Sequence, residues 1–411
     1  MRLSDSRLGK ALSLIRNRGL RVGVRDALSA WAREATSVPP DVVGQYEIVL
    51  SPDVPARMQA TQRGTLRINW LIPELGKGSG GLFNIFRMIG QLEQMGHENR
   101  VYVLTNQPVD PDEAAELIQT YYPPIKARVQ AFSREIADSD ALIATQWTTA
   151  YAARSVGNTA RKFYFVQDLE HLFYAEGSLH EFAKQTYRFG FYGITAGNWI
   201  ADVLNRDFGM ECTPFGFSYE REWYTPQGER RFALDKKRIL FYARAMTERR
   251  GFELGILALA QVAKRFPEVE VVLVGLRPRE INLPFPSVIT GHLSPLQLAA
   301  VYRSCTAALV LSHTNLSLLP LEIMACGCPI VSNDGQNVRW LLSDEVAVLA
   351  EPVPDALAGA LIDLIDREDM RRKMISAGLD FTAQTNWTAE ASKIEAALYS
   401  GLGIRREERN G

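Results

Sequence analysis

The sequence has few cysteines and no cluster of metal-binding side chains. Its 411 residues include four cysteines, which are too few for a disulfide scaffold. Cys326 and Cys328 are separated by one residue, whereas redox and zinc pairs use a two-residue spacing, and no group of His or Cys accompanies them. We therefore expect reduced thiols that serve as small core residues in a cytosolic protein.

Long hydrophobic runs are also missing. No apolar run has the length needed to span a bilayer, and the N-terminus lacks the apolar core of a secretory signal. We expect a cytoplasmic protein that is soluble or peripheral on the inner face of the plasma membrane. Residues 8–31 mix apolar side chains with arginine and lysine, as a basic amphipathic helix does. Residues 1–35 could lie on an anionic membrane or pack on the protein body with a solvated basic face.

The charge is nearly balanced, and the composition is that of a globular protein. The formal net charge is −1, which removes any global argument for nucleic-acid binding. Hydrophobic residues make up 46% of the chain and charged residues 23%. Because 411 residues exceed what one hydrophobic core usually organises, we expect two domains.

Short apolar runs alternate with helical periodicity along the chain. The run at 66–72 is followed by a glycine-rich segment, a helical pattern at 82–92 and a strand at 101–104. The pattern restarts after residues 224–237. The other predicted strands are 141–144, 161–166, 193–196, 238–244, 268–275, 307–312 and 329–332, and the other predicted helices are 254–265, 295–304, 355–366 and 369–378.

This alternation predicts two Rossmann-like α/β domains with parallel sheets that face each other across a cleft. A basic helical extension is expected at 1–60, a first domain at 61–230 and a second domain at 231–384. The amphipathic pattern at 385–400 predicts a C-terminal helix. Ligands of such sheets bind outside the carboxyl ends of the strands, so the cleft between the domains is the expected site.

The glycine-rich segment Gly76-x-Gly78-x-x-Gly81 resembles a dinucleotide-binding fingerprint. No acid follows the next strand to hold a ribose, which argues against a nicotinamide enzyme, and no Gly-Lys-Ser/Thr closes a phosphate loop. The backbone N–H groups of Gly80 and Gly81 at a helix N-terminus would suit a phosphate or a sugar. A tight turn without a ligand is the alternative.

Two arginines are predicted at the carboxyl end of the second sheet. Arg244 closes a strand and Arg250 precedes a helix, so both guanidinium groups can reach the same crevice and neutralise a diphosphate. The neighbouring Glu248 and Arg249 could instead form a solvated surface pair.

Glu322 is a single acid in an apolar stretch that reads as a short helix followed by a strand. An ionised carboxylate is costly in such surroundings unless a partner satisfies it. A hydrophobic core would not select this residue, so Glu322 is predicted to bind a ligand.

These motifs together resemble a glycosyltransferase of the GT-B fold, in the large family with a Glu-x7-Glu segment. The strand ending at Arg244, the pair Arg250-Gly251 and the segment Pro320–Val331 carry the resemblance. It implies that Arg244 and Arg250 hold the diphosphate of a nucleotide-sugar donor and that Glu322 holds its ribose. It also implies that the C-terminal helix returns to the first domain. Because Arg244, Arg250 and a helix N-terminus would supply a positive field for the leaving diphosphate, we expect no metal or other cofactor. Gly80, Gly81 and Leu319 complete the expected donor site.

The chain departs from this family pattern at Thr314, where the first Glu is expected. That acid normally serves the sugar ring, so the usual sugar recognition does not carry over. The segment Leu318–Glu322 and the segment Phe165–Glu170 resemble those of bacterial rhamnosyltransferases. This resemblance implies dTDP-L-rhamnose as the donor and a glycan or lipid-linked glycan as the acceptor, in cell-surface polysaccharide synthesis.

A base would have to remove the acceptor proton if a β-linked donor gave an α-linked product. Asp168 and Glu170 follow the strand at 161–166 and are the predicted catalytic residues, with His171 adjacent. Alternatively, Asp168 caps a turn while Glu170 and His171 face solvent. The tripeptides Asp110-Pro-Asp112 and Asp138-Ser-Asp140 resemble metal-binding motifs of another glycosyltransferase fold, but they lie in polar connections and we expect no essential metal there.

Other functions stay open from the sequence alone. A donor with another nucleotide and sugar, such as a UDP- or GDP-hexose, fits the same residues. A two-domain sugar-nucleotide epimerase would share the nucleotide crevice and need no acceptor, and hinged small-molecule binding proteins have a similar architecture.

Overall fold

The computed structural model describes residues 41–61, 64–244, 247–276 and 282–405. The predicted basic helix within residues 1–35 lies outside these ranges. The chain divides into two compact units, Met1–Ser51 and Pro52–Gly411. In the first unit, helix α1 (Val42–Tyr46) begins where the Asp41 side chain accepts a hydrogen bond from the Gly44 N–H (2.7 Å), and a 3-10 turn follows.

The first sheet has seven parallel strands in the order β3-β2-β1-β4-β5-β6-β7 within the described residues. Its central strands are buried almost throughout and mostly apolar, as in a sheet covered by helices on both faces. The strands are β1 (Arg67–Ile72), β2 (Glu98–Val103), β3 (Arg128–Ala131), β4 (Ser139–Ala144), β5 (Thr159–Val166), β6 (Tyr192–Ala196) and β7 (Cys212–Phe215). The helices are α2 (Gly80–Gln94), α3 (Pro111–Tyr121), α4 (Trp147–Arg154), α5 (Ser178–Gln185) and α6 (Asn198–Phe208).

The second sheet has six parallel strands in the order β10-β9-β8-β11-β12-β13, again counted over the described ranges. The strands are β8 (Arg238–Tyr242), β9 (Glu270–Val274), β10 (Ser287–Gly291), β11 (Ala307–Val310), β12 (Ile330–Asn333) and β13 (Val348–Ala350). The helices are α7 (Phe252–Arg265), α8 (Pro295–Tyr302), α9 (Leu319–Ala325), α10 (Gln336–Arg339), α11 (Pro354–Asp366) and α12 (Glu368–Gln384). The prediction of two Rossmann-like domains is confirmed.

The C-terminal helix α13 (Trp387–Leu402) packs on the first domain, as the resemblance implied. It begins at Asn386, whose side chain accepts hydrogen bonds from two N–H groups of the first turn. The Tyr399 hydroxyl donates to the Gly64 carbonyl (2.6 Å), and Glu395 contacts His97 (2.9 Å), so the segments before β1 and before β2 both contact this helix. Within the described ranges, every helix is too short or too polar to cross a bilayer.

The two domains meet at the carboxyl ends of their strands. Asn315, in the loop after β11, donates through its amide to the carbonyls of Gln167 (2.9 Å) and Ala196 (2.8 Å), which follow β5 and end β6. Loops that follow strands of both sheets therefore meet here, in the region where the sequence predicted a ligand site and which we call the cleft.

Candidate functional site

The glycine-rich loop of the first domain presents open backbone at the start of α2. Ser79 caps the helix by accepting a weak hydrogen bond from Leu82 N–H (3.4 Å). Gly78 has a φ of +70°, a left-handed conformation that favours glycine. A Cβ on Gly80 would have no atom within 4 Å, whereas one on Gly81 would lie 3.4 Å from the Gln167 amide nitrogen. Gly80 therefore faces open space at a helix N-terminus, where a phosphate is favoured.

Three arginines of the second domain cluster at the cleft. Arg250 donates from Nη1 to Ser312 Oγ (2.6 Å) and to the Asn315 carbonyl (3.0 Å). Burial lowers the pKa of Arg250 to about 10, and the nearby positive charges of Arg249 and Arg244 act in the same direction. Arg244 is exposed, with its guanidinium 5.2 Å from the Tyr242 ring. The predicted pair Arg244 and Arg250 thus lies in one positive region that suits a diphosphate.

Arg249 is not part of the solvated pair that the sequence left open. Its guanidinium lies 4.0 Å from the centre of the Phe173 ring, across the cleft in the first domain. Its Nε is 3.7 Å from Asp168 Oδ2, and burial lowers its pKa. Glu248 is exposed, and Arg249 adds a third guanidinium to the cluster.

Glu322 lies in the first turn of α9 and is half-buried, with Arg87, Tyr224 and Glu220 of the first domain nearby. Burial raises the pKa of Glu322 to about 7, and the positive field of Arg87 and a hydrogen bond with Tyr224 oppose this rise. Leu319 is the first residue of the same helix and is half-buried. Burial thus disfavours the ionised form of the carboxylate that the sequence singled out, and its role in binding a ligand stays a prediction.

Arg87 is a charged residue of α2 that the sequence reading missed. Its guanidinium is buried, with Nη1 donating to Asn84 Oδ1 (2.5 Å) and Nε to Glu220 Oε1 (2.9 Å). The ring of Trp387 lies 4.1 Å from the guanidinium carbon. Because Arg87 stands at helical spacing from the polar residues Asn84 and Gln91, the sequence alone gave it no distinguishing signal.

Asp168 reaches from the end of β5 into the second domain. Its Oδ1 accepts from Asn315 N–H (2.9 Å) and from Leu169 N–H (2.8 Å), and its Oδ2 accepts from the Thr314 hydroxyl (2.8 Å). Burial raises the pKa of Asp168, whereas the Asn315 N–H and the Arg250 charge lower it. Thr314 stands where the family pattern has an acid, and its hydroxyl donates a hydrogen bond to Asp168 of the first domain.

Glu170 lies in the turn after β5, partly exposed. Its Oε2 accepts from Trp147 N–H (2.6 Å) and from the Tyr164 hydroxyl (2.9 Å). Burial raises the pKa of Glu170 to about 8 against these two hydrogen bonds. The alternative in which His171 faces solvent is wrong, because His171 is buried with its ring 5.0 Å from that of His180.

The two Asp-x-Asp tripeptides have structural contacts. Asp110 caps α3 by accepting from Asp112 N–H (2.8 Å). Asp140 is fully buried and accepts from the Arg67 N–H (2.8 Å) and from its guanidinium. In the part of the chain that the structure describes, no three His, Cys, Asp or Glu side chains are grouped so that they could hold a metal ion.

Comparison with known proteins gives a consistent likeness. Residues 237–362 match the family described as WsaF, C-terminal domain. The O-antigen biosynthesis protein RfbC of Myxococcus xanthus is 31% identical over 340 residues, covering 80% of this chain and 26% of RfbC. A phosphatidyl-myo-inositol mannosyltransferase of Mycolicibacterium smegmatis is 26% identical over 227 residues, covering 51% of this chain and 57% of that enzyme. The chain therefore spans about a quarter of the length of RfbC and just over half of the length of the mannosyltransferase.

Solved structures resemble this chain in fold. Sucrose-phosphate synthase from Thermosynechococcus elongatus superposes with a TM-score of 0.65 at 15% identity, over 82% of this chain and 99% of that one. HepE of Anabaena, solved with UDP and glucose, has a TM-score of 0.61 at 15% identity, over 82% of this chain and 100% of that one. The predicted GT-B fold, with two parallel-sheet domains, is confirmed.

Proposed function

We propose that this chain is a glycosyltransferase that moves L-rhamnose from dTDP-L-rhamnose onto a glycan acceptor in the synthesis of bacterial cell-surface polysaccharide. The likeness to RfbC, an O-antigen biosynthesis protein, and to the WsaF family supports the pathway class. A lipid-linked acceptor at the inner face of the plasma membrane fits the same role.

One observation carries the proposal: a line of contacts joins Glu322 of the second domain to the glycine-rich loop of the first. The charge of Arg87 acts on Glu322, and Arg87 donates to Asn84. Asn84 in turn donates to Gln167 Oε1 (3.2 Å), and Gln167 Nε2 donates to the Gly81 carbonyl (3.1 Å). A ligand that engaged Glu322 and Gly80 together would span the cleft, as a nucleotide sugar must in a two-domain transferase.

The chemistry follows from the charges at the cleft. As the acceptor oxygen bonds to the anomeric carbon, the bond from that carbon to the diphosphate oxygen breaks, and the electron pair leaves with the diphosphate. The proton of the acceptor hydroxyl is released and can be taken up by the departing diphosphate. Arg244, Arg249 and Arg250 offer positive charge where the leaving group becomes more negative. This arrangement can stabilise the departing diphosphate with protein groups, so we propose transfer without a metal.

Thr314 bears on the identity of the sugar. Thr314 has no carboxylate to accept a hydrogen bond from a sugar hydroxyl, and its own hydroxyl donates to Asp168. A less polar sugar, a 6-deoxyhexose, therefore suits the site. The mannosyltransferase relatives favour a second candidate, a hexose carried by another nucleotide. An epimerase would act on the donor without any acceptor.

The donor can be identified by thermal denaturation with a panel of nucleotide sugars. We expect dTDP-L-rhamnose to raise the melting temperature more than UDP-glucose or GDP-mannose at equal concentration, because a ligand that binds only the folded state stabilises it. Assays with a soluble glycan and with a glycolipid in vesicles would then follow transfer. Stabilisation by GDP-mannose alone would contradict the rhamnose assignment, and donor interconversion without acceptor would indicate an epimerase.

Glu322→Gln should weaken donor binding and remove its pH dependence. The ribose hydroxyls donate best to an ionised carboxylate, and the pKa of Glu322 is about 7. Donor affinity of the unmodified protein should therefore rise with pH and level off above about pH 8, because the deprotonated fraction grows across the pKa. Calorimetric titration of nucleoside diphosphate across this range measures the effect, with Glu368→Gln on the exposed surface of α12 as the control. A pH-dependent affinity that persists in Glu322→Gln would refute this role.

A further inference from the structure

The chain crosses between the two domains twice, and the two crossings lie side by side. The first crossing is within residues 216–237, between β7 and β8, and the second is at residues 385–386, between α12 and α13. Ser218 Oγ of the first crossing lies 2.9 Å from Thr385 Oγ1 of the second, and Arg221 Nη2 donates to the Thr385 carbonyl (2.6 Å). Because these two segments are the covalent links between the domains, a change in the domain arrangement must move them.

Arg87 of α2 contacts both crossings from inside the protein. It is 6% exposed, and its Nε donates to Glu220 Oε1 (2.9 Å) in the first crossing, where Nη2 donates to the same oxygen. The centre of the Trp387 ring, directly after the second crossing, lies 4.1 Å from the guanidinium carbon. A guanidinium keeps its charge in a protein interior, and burying that charge is costly unless partners compensate it. Glu220 and Trp387 supply this compensation together with Asn84 and Phe83 of α2.

The charge of Arg87 also acts on Glu322, the acid proposed to hold the ribose. Burial raises the pKa of Glu322 to about 7, and the charge of Arg87 and a hydrogen bond with Tyr224 oppose this rise. The negative charge of Glu220 adds to it. One guanidinium is therefore shared by two carboxylates, one at a crossing and one in the proposed donor site. Among the described residues, the titratable groups that face Glu322 are Arg87 of α2, Glu220 and Tyr224 of the first crossing, Tyr302 of α8 and Cys326 directly after α9.

We propose that Arg87 is a positioning residue that links the arrangement of the two crossings to the donor site, by presenting its positive charge to the Glu322 carboxylate. The inference rests on the proposed function, in which that carboxylate accepts hydrogen bonds from the ribose of a nucleoside diphosphate. While Glu220 and Trp387 hold the guanidinium, the ionised form of Glu322 is favoured. A domain arrangement that displaces the guanidinium favours the protonated acid, so nucleotide binding in turn favours the arrangement in this structure.

Arg87→Met should weaken the binding of dTDP at about pH 7 and leave it nearly unchanged at about pH 9. Loss of a nearby opposite charge should move the titration of Glu322 up by about 1 pH unit. The ionised fraction then falls about fivefold near pH 7, whereas most of it remains near pH 9. Calorimetric titration measures the Kd, and the ratio of variant to unmodified Kd at each pH cancels the titration of the nucleotide's own phosphate. A loss that persists undiminished at about pH 9 would show a merely structural role and overturn the proposal.

Glu220→Gln should move the same titration in the opposite direction. The variant removes the negative charge that raises the pKa of Glu322, and the amide oxygen can still accept from Arg87. The affinity for dTDP near pH 7 should therefore rise. Arg87→Lys should lie between Arg87→Met and the unmodified protein, because it keeps a charge and loses the planar fork. General loosening of the domains cannot produce shifts of opposite sign, so Arg87→Met and Glu220→Gln shifting together would contradict the proposal.

The link to the crossings is tested at Trp387. Trp387→Ala removes the ring that covers the guanidinium, so the titration of Glu322 should move up, by less than in Arg87→Met. Arg221→Met is the matched control, because this arginine of the first crossing donates to the Ala383 and Thr385 carbonyls on the other side. The control should leave the titration in place. An unchanged titration in Trp387→Ala, or an upward shift in Arg221→Met as large as in Arg87→Met, would overturn the link.

A measurement without nucleotide separates this inference from the proposed function. Carbon-13 NMR of the labelled glutamate carboxyl groups follows the titration of Glu322, whose signal is assigned by its loss in Glu322→Gln. If Arg87→Met moves this titration up and the unmodified protein binds no nucleoside diphosphate, the proposed function is wrong and the coupling of Arg87 to Glu322 stands. If dTDP binds and the titration is the same in Arg87→Met, the proposed function stands and the inference is wrong. Circular dichroism establishes that each variant is folded, and Arg87→Lys with Glu220→Gln carries the test if Arg87→Met does not fold.

Discussion

Arg250→Met is expected to lower kcat/KM for sugar transfer by about 10²–10³-fold, comparable to the loss of one preorganised donor to a developing anion. The guanidinium is held by Ser312 Oγ and the Asn315 carbonyl, so it is in place before the diphosphate departs. Methionine keeps much of the side-chain volume and removes the charge. Arg250→Lys should recover only part of the rate, because the lysine ammonium cannot donate the two parallel hydrogen bonds that a guanidinium gives to a phosphate. Initial rates at saturating and limiting donor separate the effects on kcat and KM.

The control for this substitution is Arg372→Met on the exposed face of α12, where the arginine pairs with Glu368. We expect that variant to transfer at the unmodified rate, because an exposed pair contributes little. Arg250→Met at full activity would show that the diphosphate is held elsewhere. A parallel loss in Arg372→Met would indicate a general effect of removing positive charge.

The interior of each sheet was predictable from the sequence because its strands are buried on both faces. All six residues of β4 are buried, and the stretches Ala141–Ala144 of β4, Phe163–Val166 of β5 and Trp70–Ile72 of β1 are short continuous hydrophobic runs. The sequence reading missed β3, β7, β10 and β13, which lie at the sheet edges. In β3 only Val129 is buried, so the strand forms through backbone pairing with β2 and leaves little pattern in its side chains.

The site was predictable where one local rule sufficed and unpredictable where contacts cross the domains. Glu322 stood out as an acid in an apolar stretch, and Arg250 as a charge before a helix. The contact of Asn315 with Asp168 joins residues 147 positions apart, and no spacing rule relates them. Arg249 looked like a surface residue for the same reason, because its partner Phe173 belongs to the other domain.

The return of the C-terminal helix was implied by resemblance, but the contact that holds it was not visible in the sequence. His97 and Glu395 are both fully buried, with His97 Nε2 2.9 Å from Glu395 Oε1. His97 Nδ1 accepts from the Leu66 N–H (3.0 Å), so the ring proton lies on Nε2 and is donated to Glu395. The tautomer of His97 is therefore set by the backbone before β1, and the carboxylate of α13 is matched to it.

Glu395→Ala is expected to lower the free energy of unfolding by about 3–5 kcal/mol, the usual cost of removing one member of a buried pair. The buried imidazole N–H of His97 would lose its acceptor, and a cavity would remain under α13. Urea unfolding followed by tryptophan fluorescence measures the loss in the first transition.

Glu368→Ala, at an exposed pair on α12, should stay within about 0.5 kcal/mol and serves as the control. The double variant His97→Phe with Glu395→Met should recover part of the loss, since apolar groups of similar volume replace both partners. A Glu395→Ala protein that unfolds at the same urea concentration as the unmodified chain would show that α13 is held by its apolar face, through Ile394 and Leu398, and not by this pair.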